Sequence, residues 1–122
     1  MFKIEENKIH LTRGDCCTIS LNVEDYSFKV GDIVTFCLYN KRALNKQPVL
    51  KKSITLEQDT DNVDIELTSL DTKIGEMKNT PVEYWYEIEL NDKQTLIGYD
   101  EDGAKILILY PEGADENDNS SE

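Results

Sequence analysis

Residues 81–90 read PVEYWYEIEL, and their alternation decides the fold class. Val82, Tyr84, Tyr86, Ile88 and Leu90 fall on one side of an extended chain; Glu83, Trp85, Glu87 and Glu89 fall on the other. Successive side chains of a strand point to opposite faces, so Pro81–Leu90 predicts a strand with one buried and one solvated side. The stretch holds the only tryptophan and two of the six tyrosines. Most of the surrounding segments are shorter versions of the same pattern, as expected for sheets packed around this strand.

Upstream, residues 1–7 are polar and read as a loose lead-in. Lys8–Arg13 alternates Ile9 and Leu11 against His10 and Thr12, a short strand ended by the Gly14–Asp15 turn signal. Cys16–Val23 follows with Cys17, Ile19, Leu21 and Val23 on one face. Tyr26 and Phe28, in the connection to the next strand, are expected to cap one end of the core. Ile33–Asn40 reads as a strand with Val34, Phe36 and Leu38 inward. Lys41–Pro48 is a polar loop with a helical turn near Ala43 and Leu44. Val49–Leu56 is a weaker strand that carries Lys52 on its apolar face, which calls for an edge position or a snorkelling side chain. In Asn62–Leu67, Val63, Ile65 and Leu67 point inward, and antiparallel pairing with the preceding strand would set Lys51 beside Asp64 and Glu66.

Thr68 or Ser69 can cap a short helix bearing Leu70 and Ile74 and stopped by Gly75. After the organising strand, Asn91–Asp92 turns the chain into a strand at Gln94–Tyr99. Asp100–Gly103 turns it again into Lys105–Tyr110, apolar on both faces and therefore central or covered. About eight strands at short spacing predict an all-β fold. The expected form is an antiparallel β-sandwich of immunoglobulin-like layout with one short helical turn. Residues 1–110 make one domain, and 111–122 an acidic flexible tail.

The 122 residues carry a net charge of −12, with a pI near 4.4. Leaving out the five carboxylates of the tail still leaves −7 on the rest. Nucleic-acid binding needs a positive footprint, so no nucleic-acid partner is expected. No apolar run approaches the roughly 20 residues of a membrane span, so no membrane partner is expected either. The charged start, MFKIEENKIHLTRGD, has no signal-peptide core, and three cysteines with Cys16 and Cys17 adjacent are no disulfide framework. Both point to a reducing cytoplasm.

No constellation carries a catalytic, cofactor or metal assignment. His10 with Cys16, Cys17 and Cys37 offers four zinc-ligand types, but adjacent strand residues cannot converge on one ion. A His10–cysteine nucleophilic pair lacks an orienting group. Asp100–Gly103 puts Ala104 and Lys105 where a calcium loop needs its fifth ligand and its glycine, so it reads as a tight acidic turn. The Asp59, Asp61 and Asp64 cluster reads as a solvated hairpin. Arg13–Gly14–Asp15 matches the tripeptide bound by integrins, but reads as a turn between strands. Trp85 stands among glutamates on the polar face. A large ring there is covered by another part of the chain or by a partner, so Trp85, Glu83, Glu87 and Glu89 form the candidate interface.

Three stretches carry a family resemblance: Thr12–Asp15, the VGDIVTF run from Val30 to Phe36, and Ile65–Thr72. Over about Ile9–Tyr110 the chain resembles the N-terminal β-sandwich domain of the phage baseplate upper protein family of Firmicutes phages and prophages. The resemblance implies a structural module that anchors a longer protein to the virion. Here the sandwich is followed by an acidic tail, so the expectation is a tail or baseplate adaptor, fibre-anchoring module or decoration protein. Its expected partners are other phage structural proteins and further copies of itself, in the virion and, before assembly, in the host cytoplasm. A small acidic inhibitor or DNA mimic is the alternative, against which Lys41, Arg42, Lys51 and Lys52 count by interrupting the acidic surface. A carbohydrate-binding sandwich using Trp85 and Tyr99 is a third reading.

Overall fold

The computed structural model describes residues 1–24, 26–40, 47–76 and 79–112. Its strands are β1 (Phe2–Glu5), β2 (Lys8–Thr12), β3 (Cys17–Asn22), β4 (Ile33–Asn40), β5 (Pro48–Thr55), β6 (Asn62–Leu67), β7 (Val82–Leu90), β8 (Gln94–Ile97) and β9 (Lys105–Tyr110). Seven of them form one sheet in the order β1-β2-β9-β7-β4-β5, with β8 also beside β7. The other two, β3 and β6, pair as a small second sheet.

The organising strand sits where its pattern placed it. Along one side β7 pairs with β4 from Tyr84 to Leu90. Along the other it pairs first with β9, from Val82 to Tyr86, and then with β8, from Ile88 to Leu90. Its inward residues Tyr84, Tyr86, Ile88 and Leu90 join Val34, Phe36 and Leu38 of β4 and Leu107 and Leu109 of β9 in one buried cluster. Ile19, Leu21, Val63, Ile65 and Leu67 of the small sheet complete that cluster. Two sheets sharing one apolar interior fit a β-sandwich. Phe28 is fully buried with Tyr26 edge-on to it, ring centroids 5.2 Å apart, and the pair closes one end of the core.

Several expectations are corrected. Residues 2–5 are not a loose lead-in but strand β1, joined to β2 by a turn in which Glu6 and Asn7 both have positive φ. Two left-handed residues match the right-handed strand twist, which is what a tight hairpin needs. The sheet is mixed rather than purely antiparallel, because β2 and β9 run parallel. They lie at opposite ends of the chain, so no short turn constrains their relative direction. β6 pairs with β3 and not with β5. Lys51 therefore lies in register with Cys37, away from Asp64, which accepts from Ser20 instead.

No helix forms among the described residues. At 68–72 the helix start is present: the Thr68 N–H donates to the Asp71 carboxylate at 2.8 Å, and the Asp71 N–H donates to the Thr68 hydroxyl at 3.1 Å. The chain turns once there, with the Thr72 N–H donating to the Thr68 carbonyl at 3.2 Å, and no helix propagates. The buried Thr72 hydroxyl ties the turn to the 14–15 turn, accepting from the Gly14 N–H at 2.9 Å and donating to the Asp15 carbonyl at 2.8 Å. So short a segment gains too little from helical bonds to continue. The helical turn expected near Ala43 and Leu44 and the tail beyond Glu112 lie outside the described residues. Lys52 on the edge strand β5 reaches Asp71 at 2.9 Å, so its charge is paired at the rim of the core.

Candidate functional site

The outer face of the large sheet collects the candidate residues. Neighbouring strands are in register there, so side chains form rows across it. Tyr39, Trp85 and Ile106 make one row across β4, β7 and β9. The adjacent rows set Lys51 and Cys37 beside Glu87, and Ser53 and Thr35 beside Glu89. On the far side Glu83 aligns with Ile108, His10 and Lys3. Glu83, Trp85, Glu87 and Glu89 thus share one face, with Glu83 exposed and the other three half-buried.

Trp85 is half-buried, flanked within the sheet by Tyr39 and Ile106. Tyr99, from the β8–β9 connection, is exposed and shares the lining of one opening with it. Between Tyr86, paired to Lys105, and Ile88, paired to Ile97, β7 changes partner from β9 to β8. The two partners part there and leave a notch beside Glu87. Tyr39, Trp85, Glu87, Tyr99 and Lys105 are among the residues that line it, and it encloses about 70 Å³. Gly98 makes the crossing possible. A Cβ there would meet the Thr95 methyl at 2.6 Å and the Glu87 side chain at 3.4 Å.

Burial acts on Tyr39 of the notch and on Cys37 beside it. Desolvation, followed by the hydrogen bond its hydroxyl donates to the Cys37 sulfur, pushes the Tyr39 phenol above its ordinary value and keeps it neutral. Burial also raises the Cys37 thiol. Among the described ion pairs, Lys105 is held by Asp100 at 2.8 Å, and none uses Glu87 or Glu89.

The other singled-out residues are scattered. His10 bonds through Nδ1 to the Tyr110 hydroxyl at 2.8 Å, with Glu5 3.6 Å from Nε2. Cys17 and Cys37 belong to different sheets, and burial pushes the Cys17 thiol up to about 11, with Cys16 and Asp15 adding to it. No group of three or more His, Cys, Asp or Glu comes together as a metal site among the described residues. Arg13–Gly14–Asp15 is engaged internally. Arg13 donates to the Ile74 and Gly75 carbonyls and pairs with Glu112 at 3.0 Å, while Asp15 pairs with the N-terminal amine. Asp59 accepts from the Val30 N–H and Asp61 from Ser27, so those two carboxylates fasten loops. Asp100 accepts from Lys105 and from the Asp102 N–H, and these bonds, led by Lys105, hold its carboxyl below the usual range.

Sequence reasoning named Trp85 with Glu83, Glu87 and Glu89, which the structure sets on one face, did not name Tyr39, and named Tyr99 without the notch. The outward alternation of Thr35, Cys37 and Tyr39 was readable; the register that sets Tyr39 beside Trp85 was not. No helix among the described residues is long and apolar enough to cross a membrane. Comparison of the chain with protein-family models, with curated proteins and with solved structures finds no match.

Proposed function

We propose that this protein is a structural component of a phage or phage-derived particle that works by protein–protein assembly through the outer face of its large sheet. One observation carries the reading. Cys37, Tyr39, Trp85, Ile106 and Ile108 lie half-buried to buried on that face, with Glu83, Glu87 and Glu89 interleaved among them along β7, and no second layer of the described chain lies over it. Large apolar side chains on a sheet face without a covering layer are a mark of an association surface.

The strand order supports an immunoglobulin-like layout as the finer description. β3 and β6 stand where that fold pairs its B and E strands, and β5, β4, β7 and β9 follow the order C′, C, F and G. The stretches that resemble the baseplate upper protein family fit the same plan. Two of them meet where the Gly14–Asp15 turn is bonded to Thr72, so they build the scaffold that presents the outer face.

Mass spectrometry of purified particles from the source strain tests the reading. The expected result is recovery at a fixed copy number relative to the major capsid protein, with Trp85→Ala reducing incorporation. Absence from particles, with abundant chain in the soluble lysate, would sink it and move the acidic inhibitor to first place.

A further inference from the structure

The chemistry of the notch beside Trp85 is more specific than that of the face around it. Three aromatic side chains from three separate segments, Tyr39 of β4, Trp85 of β7 and Tyr99 of the β8–β9 connection, line one opening together with the Glu87 carboxylate. Aromatic faces carry negative electrostatic potential, and a carboxylate among them adds a full charge. The one cation in the lining, Lys105, already has its ammonium 2.8 Å from Asp100. The volume, about 70 Å³, takes the head of one side chain and falls well short of the roughly 300 Å³ and more of ordinary small-molecule pockets. An anion would face the Glu87 carboxylate, while Lys51, the described cation of the Glu87 row, lies across Cys37 and outside the lining. An apolar side chain would bury that carboxylate against hydrocarbon without compensation. A cation satisfies both the rings and the carboxylate, and the net charge of −12 favours its approach.

We infer that this notch is a recognition pocket for a lysine or arginine side chain carried on a basic segment of the protein's assembly partner. The inference rests on the assembly reading above and adds to it the partner's chemistry. Tyr99, 72% exposed, then acts as the movable wall that closes over the cation, while Tyr39 and Trp85 form the fixed floor within the sheet. Glu87 supplies the charge that separates a cationic side chain from a neutral one of the same shape.

Trp85 is the only tryptophan, so its emission reports on the pocket directly in the full chain. The probes are the N-acetyl amides of arginine and lysine, with those of citrulline and norleucine as neutral isosteres. The expected result is a saturable change with the two cations that weakens on adding salt, and isosteres that bind about tenfold less well. Glu87→Gln and Tyr99→Ala each weaken the cation response by roughly three- to tenfold while circular dichroism and the thermal midpoint stay unchanged. An equal response to the neutral isosteres, no saturable response, or indifference to both substitutions would each overturn the inference. The particle measurement is independent of this one. Loss of the Trp85→Ala chain from particles without any cation response overturns the cation and leaves the assembly surface standing. A cation response in a chain missing from particles keeps the pocket and removes the assembly role.

Discussion

The two faces of the seven-stranded sheet are made by the same strands and reach burial by different routes. On the inner face Phe36, Tyr86, Ile88 and Leu107 are covered by a second layer, the β3–β6 sheet. On the outer face Thr35 and Cys37 are nearly as inaccessible, at 1% and 3% exposure. What flanks them lies within the sheet: Ser53 and Glu89 beside Thr35, and Lys51 and Glu87 beside Cys37. Long polar side chains on adjacent strands can shield a small residue between them, but they do not supply the close-packed apolar contacts of a second layer. Inner-face burial therefore carries stability. Outer-face burial rests on side chains of the sheet itself, and the proposed association would exchange that shielding for a partner.

The sharpest way to break this comparison is a pair of truncations measured by urea denaturation. Phe36→Ala, which opens a cavity between the layers, is expected to cost about 3–5 kcal/mol. Trp85→Ala removes a larger side chain but only a half-covered one, and the expected loss is about 1–2 kcal/mol. Equal losses would mean that the outer face is core, and the association surface would have to be sought elsewhere.

Gly98→Ala probes the seam where the faces meet. Its new methyl would overlap the Thr95 side chain at 2.6 Å and press on Glu87. The expected cost is about 1–3 kcal/mol, with the Trp85 emission shifting as the notch deforms. A neutral result on both readouts would show that the β8–β9 connection gives way freely and does not shape the pocket.

The smallest effect concerns pH and the end of the sandwich remote from the notch. Asp32 accepts from the Lys29 N–H, the Tyr26 hydroxyl and the Asn91 amide, and these bonds, led by Lys29, hold its carboxyl below the ordinary 3.8. A depressed folded-state value stabilises the fold fully above the ordinary value. That contribution is lost as pH falls through the depressed one. Asp32→Asn is expected to lower the urea midpoint at neutral pH, and the gap from the parent chain should close as pH drops below 3.8. A gap that stays constant down to the acid limit would mean that the hydrogen-bond geometry, and not the charge, holds this loop. Trp85 emission should be unaffected throughout.

How much was legible follows from what each feature depends on. The bounds of β4, β6 and β9 coincide with those read from the alternation, and β7 differs only by starting at Val82. Lys52 was recognised as a rim residue because a lysine on an apolar face has few other solutions, although its partner Asp71 lies far along the chain. β1 was missed because Phe2 and Ile4 are too few to mark a period among charged neighbours. Only the positive φ of Glu6 and Asn7 turns them back against β2. At 68–72 the capping signal was read correctly and still produced no helix, since so short a segment gains too little from helical bonds to continue beyond one turn.

By itself the sequence determined the eight strands β2 to β9, the apolar face of most of them, and that Trp85 stands with Glu83, Glu87 and Glu89 on the polar face of β7. Those properties are local, because side-chain direction in a strand depends only on the neighbouring residues. Tertiary structure decided that β6 joins β3, that β2 lies parallel to β9, and that β8 and β9 part beside Glu87 so that Tyr39 and Tyr99 gather around Trp85. Those are pairings between distant segments. Backbone hydrogen bonds are nearly indifferent to which strands they join, and the choice falls to whichever arrangement closes a single apolar core.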